Sequence, residues 1–373
     1  MYASIVYLCH SNKQGHGMRQ RIEVIQVLRG VGALLVCFFH MRSLLNTASF
    51  AYGNFLFGSG AIGVPLFFII SGFVLIYTHH PEKYGVGAAV NFSLKRLIRI
   101  VPLYFILTLI YIVGLSQVSY YLHHTDALVR TFTFLPQLTR TTAPSFGFPP
   151  IVVGWTLTYE MLFYALFAVS ILLKRGQRVF LLAVFAGLLL IMPLVVMGSI
   201  HFDFNYVYGF SYRYLEVITN GVWYYFIAGL LLGYLYRSSF SVPRNVILYG
   251  LLPLSILLFM VVYFGALLPF SGVWNNLVAC SLLFFSLVWL HRYKPVAVAK
   301  PFIFLGDISY SLFLVHPLVI VFLGRLLRLV GLESWTSGYA FFILCMVLIL
   351  GISYLSYSLV EQKLHRWLSA KLL

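Results

Sequence analysis

Several ionisable side chains stand in stretches otherwise apolar enough for lipid. Arg29 and His40 lie in VLRGVGALLVCFFHMRSLL, residues 27–45; Glu160 lies in WTLTYEMLFY; Asp307 and His316 flank the Ser-Tyr-Ser of GDISYSLFLVHP. Placing such groups in hydrocarbon is costly, so each is a functional candidate by default. An imidazole takes and returns a proton near neutral pH, whereas a guanidinium stays charged and needs an anionic partner. Eleven residues separate Arg29 from His40. On a helix that is about 16 Å of rise and about 20° beyond three full turns, so both sit on one face at different depths. If its helix starts near Gly154, Glu160 lies about 9 Å inside the same surface that His40 approaches. This placement suits a carboxylate–imidazole dyad, in which the carboxylate fixes the imidazole tautomer and stabilises the imidazolium. Each group also has a plainer use. A lone His can be an interhelical hydrogen-bond partner, Glu160 can balance a buried Arg, and Asp307 and His316 can serve as packing glue.

A basic cluster, Lys95, Arg96 and Arg99 of LKRLIRIVPLY, opens the third apolar run. It reads either as ordinary cytosolic-side decoration or as a clamp for phosphate, which Arg binds bidentately. Basic groups, then Arg29, then an acid/base pair trace a conduit across the membrane.

The elements that must carry these residues follow from composition. Of 373 residues, 61% are hydrophobic and 9% charged, and the mean hydropathy is +0.93; soluble domains average about 25% charged. The chain is therefore one all-α, polytopic integral membrane protein. Its runs are about 20 residues long and do not alternate, which excludes a barrel. Ten spans are expected, near 25–45, 58–78, 98–117, 152–173, 179–198, 220–236, 244–263, 272–290, 302–323 and 339–360. With the N-terminus cytosolic, eighteen Lys and Arg fall inside and six outside, so N-in/C-in topology is expected. This placement, rather than nucleic-acid binding, explains the net charge of +16. Cys9, Cys37, Cys280 and Cys345 lack metal-ligand spacing, and no metal site is expected. No cleavable signal peptide is evident. Residues 1–21 are expected to be a cytosolic extension, with 1–17 upstream of a start at Met18. The membrane domain is expected over 22–365, and 366–373 as a short tail. The absence of an internal repeat disfavours transporter folds built from repeats.

Several motifs now occur in order. LRGVGALLVCFFH carries Arg-x10-His, GVPLFFIISGF forms a second-span block, and LKRLIRIVPLY carries Arg-x-x-Arg. GWTLTYEMLFY, GDISYSLFLVHP and VEQKL follow. Together, from about 22 to 365, the chain resembles acyltransferase family three, the integral-membrane enzymes that acylate sugars of bacterial surface polysaccharides, and within it the compact exopolysaccharide-modifying branch. The resemblance implies a multi-pass protein of the bacterial inner membrane. It implies acyl-CoA, usually acetyl-CoA, as a cytosolic co-substrate with no tightly bound cofactor. The acceptor implied is a carbohydrate hydroxyl, on lipid-linked or nascent polysaccharide. By position, His40 would be the catalytic base and Arg29 its partner. Lys95, Arg96, Arg99, Ser71 and Tyr310 would serve the donor, while Trp155, Glu160 and His316 line the site. One departure is Pro65, where the family has an acidic residue. The rival readings are a proton-coupled transporter, which buried Arg, His and Glu would equally suit, and a non-catalytic partner of a polysaccharide synthesis complex.

Overall fold

The computed structural model describes residues 21–79, 84–265, 273–293 and 297–373. The extension before Arg21, with Cys9 and Met18, lies outside them. The described residues contain helices and no strands. Ten helical segments are long and apolar enough to cross a membrane: α1 Glu23–Leu45, α2 Tyr52–Thr78, α3 Val86–Gly114, α4 Val152–Ile171, α5 Gln177–Met197, α6 Tyr214–Arg237, α7 Arg244–Tyr263, α8 Trp274–Tyr293, α9 Ser309–Leu329 and α10 Gly338–Leu372. The number matches the sequence expectation. Two boundaries shift with consequences for the site. α3 starts at Val86, so Lys95, Arg96 and Arg99 lie several turns inside a 29-residue helix rather than at its mouth. The expected ninth span breaks at Ile308, leaving a short helix Lys300–Asp307 before α9.

Small residues let these helices approach closely, since apolar side chains gain nothing from association in lipid. A Cβ at Gly72 would meet Phe226 O at 2.4 Å, and one at Gly229 would meet Ile69 O at 2.1 Å, so α2 and α6 touch through their backbones. Gly30 and Gly306 make the same contact between α1 and the short helix. α1 and α2 run antiparallel: Gly60 abuts Leu35 and Phe39, while Gly63 abuts Gly32 and Val36. Ser71, two turns beyond Gly63, therefore lies toward the Arg29 end of α1.

The end of the bundle where α1 starts is its basic end, carrying Arg178, Arg237, Arg244, Arg292 and Lys300 at helix boundaries. Arg237 ties α6 to the end of α2 there, donating to Ile76 O and His79 O at 3.0 and 2.9 Å. The opposite, loop end holds the two long connections before α4 and α6. These are folded. In the first, Phe146 and Ile151 are buried and Gly154 rests on Pro149 and Tyr104. In the second, the Glu216 carboxylate accepts backbone N–H bonds from Tyr208, Gly209 and Phe210 at 2.6–2.9 Å.

Candidate active site

A cavity of about 80 Å³ is lined by Arg29, Ser71, Arg96, Arg99, Glu160 and Tyr310. Each residue reaches it for a local reason. Arg29 is buried on the inward face of α1, its guanidinium 3.4 Å from Gln26 Oε1. Arg96 and Arg99 share a face of α3, three residues apart. The Arg96 guanidinium lies over the Phe92 and Tyr164 rings, at 5.4 and 5.1 Å from their centroids, a cation–π seat that holds it in the apolar interior. Glu160 accepts from Tyr164 at 2.5 Å and from Ser71 at 3.3 Å. Tyr310 donates its hydroxyl to Ile100 O at 2.8 Å, locking α9 to α3. Three guanidiniums against one carboxylate leave the cavity positive, and it suits an anionic ligand. Lys95 is not among the lining residues; one position before Arg96, it points about 100° round the helix.

His40 has a different partner from the one its depth suggested. Its Nδ1 lies 2.9 Å from Val36 O and 3.2 Å from Nε2 of His316. His316, fully buried, donates from Nδ1 to Leu312 O at 3.1 Å. A carbonyl can only accept, so the His316 proton is on Nδ1 and its Nε2 carries a lone pair. That lone pair and Val36 O both call for a proton on His40 Nδ1. Neutral His40 therefore presents its own lone pair at Nε2, the form a general base requires. Glu160 does not pair with it. It bonds Ser71 and Tyr164 instead and lines the same cavity as Arg29. The expected carboxylate–imidazole dyad is replaced by an imidazole–imidazole pair.

His40 and His316 do not line the basic cavity. His316 packs on Phe313 with ring centroids 6.2 Å apart, and Phe313 packs on Phe67 at 5.6 Å; both phenylalanines form the cavity wall. One aromatic layer thus separates the histidines from the guanidiniums. Trp155 lines a second cavity nearer the loop end, together with Pro65 and Asp203. The two cavities share Val64 and Phe68.

Other expectations resolve differently. Asp307 pairs with Arg21 where the short helix meets the lead-in to α1. Burial pushes its carboxyl up, while the Arg21 guanidinium pulls it down; it is a clamp between segments rather than a cavity group. Two contributors were not singled out from sequence. Tyr164 is one turn from Glu160, a spacing that could have revealed it. Glu361 accepts from Ser311 N at 3.0 Å and Ser311 Oγ at 2.5 Å, capping the first turn of α9 from α10. Fifty residues separate the two, and no local pattern signals that bond.

The described residues thus combine a cationic cavity with an imidazole pair one aromatic layer away. Residues 22–358 match the profile of acyltransferase family three, described as an acyltransferase domain. The chain belongs to that family and is a multi-pass membrane O-acyltransferase. It is 30% identical over 292 residues to the exopolysaccharide production protein ExoZ of Rhizobium meliloti (strain 1021), covering 76% of this chain and 84% of that one. It is 28% identical over 318 residues to a protein of Acidianus two-tailed virus named "Putative acetyltransferase ORF330", covering 82% and 86%. No solved structure matches the chain.

Proposed function

We propose that the protein transfers acetyl from acetyl-CoA to a hydroxyl of a surface or exopolysaccharide sugar, lipid-linked or nascent, in the bacterial inner membrane. The observation that carries this reading is the gathering of Arg29, Arg96 and Arg99 in one cavity, an aromatic layer away from a histidine with a directed lone pair. The basic end faces the cytosol by the positive-inside bias, so N- and C-termini are both inside. Residues 22–365 make the catalytic domain and 366–373 a cytosolic tail.

Acyl-CoA enters from the basic end as co-substrate. Arg96 and Arg99 meet its phosphates as planar, bidentate donors, with Lys95 adding charge at the approach, and Arg29 holds the deeper part of the donor. The thioester reaches His40 past the Phe67–Phe313 layer that walls the donor cavity. Nε2 of His40 takes the proton from the acceptor hydroxyl as its oxygen attacks the thioester carbonyl. The C–S bond then breaks, and the imidazolium returns the proton to the departing thiolate, giving the O-acetyl ester and free CoA thiol. While the proton resides on His40, its Nδ1–H bond to His316 strengthens. Ser71 and Tyr164 hydrogen-bond Glu160 beside the guanidiniums, and Tyr310 keeps α9 in place. The step as written uses no metal and no tightly bound cofactor.

The reading is tested with purified protein in nanodiscs, following radiolabelled acetyl from acetyl-CoA into de-O-acylated exopolysaccharide. Transfer by the wild type and its loss in His40→Ala supports it; labelled acetyl that never leaves acetyl-CoA contradicts it.

A further inference from the structure

The loop-end cavity has a chemistry opposite to that of the basic one. It has a volume of about 550 Å³ and offers Trp155, Asp203, Asn205 and Asn276, with the buried Tyr225 also in its lining. Among the described residues, its lining includes one carboxylate and no Lys or Arg. An indole, two amides and a carboxylate are what a sugar ring asks for: an aromatic face to cover its C–H surface, and groups that accept from or bridge its hydroxyls. A carboxylate without a neighbouring cation repels an anionic residue, so such a cavity selects a neutral one.

The polar groups are also held in place. Asn220 Nδ2 donates to Phe204 O at 2.8 Å, and a Cβ at Gly221 would fall 2.7 Å from Phe202 O, so the Asp203–Asn205 turn is pressed onto the start of α6. Asp203 Oδ1 accepts the Asn205 N–H at 2.9 Å, closing that turn. The three Glu216 bonds pin the next residues of the same loop. A ligand that meets side chains already ordered pays less entropy on binding. The position of the cavity is equally specific. Ser59 and Ala61 in its wall flank Gly60, which abuts Leu35 and Phe39 of α1, so the cavity lies at the level of His40. Val64 and Phe68 join it to the guanidinium cavity.

We infer that the loop-end cavity is the acceptor subsite and takes a neutral sugar residue, with Asp203 accepting hydrogen bonds from its hydroxyls. This rests on the acetyl transfer proposed above. The anionic donor and the neutral acceptor then bind in separate cavities of opposite electrostatic preference, meeting at one turn of α2.

The test uses the nanodisc assay with de-O-acylated exopolysaccharide oligosaccharides separated into neutral and acidic fractions. The wild type acetylates the neutral fraction at least tenfold more efficiently. Asp203→Asn raises the KM for neutral oligosaccharide at least fivefold and leaves the KM for acetyl-CoA within twofold. Asn276→Leu, on α8 rather than on this loop, raises the same acceptor KM. Equal acceptor KM values in wild type and both variants, or preference for the acidic fraction, overturn the subsite while transfer itself stands. Absence of transfer to either fraction by the wild type overturns the acetyltransferase reading, and the subsite with it.

Discussion

At the scale of single residues, the chemistry turns on where protons sit. Leu312 O fixes the His316 tautomer, His316 with Val36 O fixes that of His40, and the free lone pair is left at His40 Nε2. A positioned acid/base group contributes about 10²–10⁴-fold, so His40→Ala lowers kcat by that order, measured as acetyl transfer under saturating donor and acceptor. His316→Phe keeps the ring volume but removes one hydrogen bond to the base; its kcat falls by about tenfold while both KM values hold. A drop as large as that of His40→Ala would mean that His316 itself moves the proton. Arg29→Lys keeps the charge but loses the planar fork, and raises the acetyl-CoA KM by about tenfold. The identities of Arg29 and His40 were legible because charge in an apolar run is conspicuous. Their partners were not. Pairing depends on where each helix begins in depth, and the inward fold of the connection before α4, with Phe146 and Ile151 buried, cannot be read from hydropathy.

At the scale of elements, α9 is the component that holds the two halves of the site together. Tyr310, Phe313 and His316 recur every three residues along it, one anchoring α3, one walling the cavity and one orienting His40. The break at Ile308 leaves its first N–H groups without helical acceptors, and Glu361 supplies one. Glu361→Ala removes charge-assisted bonds to Ser311 worth about 2–3 kcal/mol. Its thermal unfolding midpoint in detergent drops and its kcat falls, whereas Glu361→Gln, which can still accept from Ser311, recovers most of both. A midpoint unchanged by Glu361→Ala would refute the capping role. Hydropathy revealed ten spans because length and apolarity are local properties. It blurred the short helix Lys300–Asp307 into α9, since both are apolar and only the Gly306 packing on Gln26 and the Asp307–Arg21 pair separate them.

At the scale of the whole molecule, the bundle presents a basic end and a loop end, with a cationic cavity reached by Arg29 and a carboxylate-bearing cavity at the level of His40. The orientation this requires is checked by membrane-impermeant maleimide. Asn205→Cys labels from the periplasmic face of spheroplasts, and Lys300→Cys labels only after the membrane is opened; the reverse pattern would invert the topology. Residue count, charge and motif order made the family visible in the sequence, but the division into two cavities arises from side chains on α1, α2, α3, α4, α6, α8 and α9 that no single stretch brings together. The most direct test of the central claim is a paired measurement on His40→Ala in nanodiscs: acetyl-CoA affinity by equilibrium dialysis and acetyl transfer to de-O-acylated exopolysaccharide. With His40 as the general base, donor affinity stays within twofold of wild type and transfer falls by about 10²–10⁴-fold. Transfer retained at the wild-type rate with the imidazole gone would contradict it.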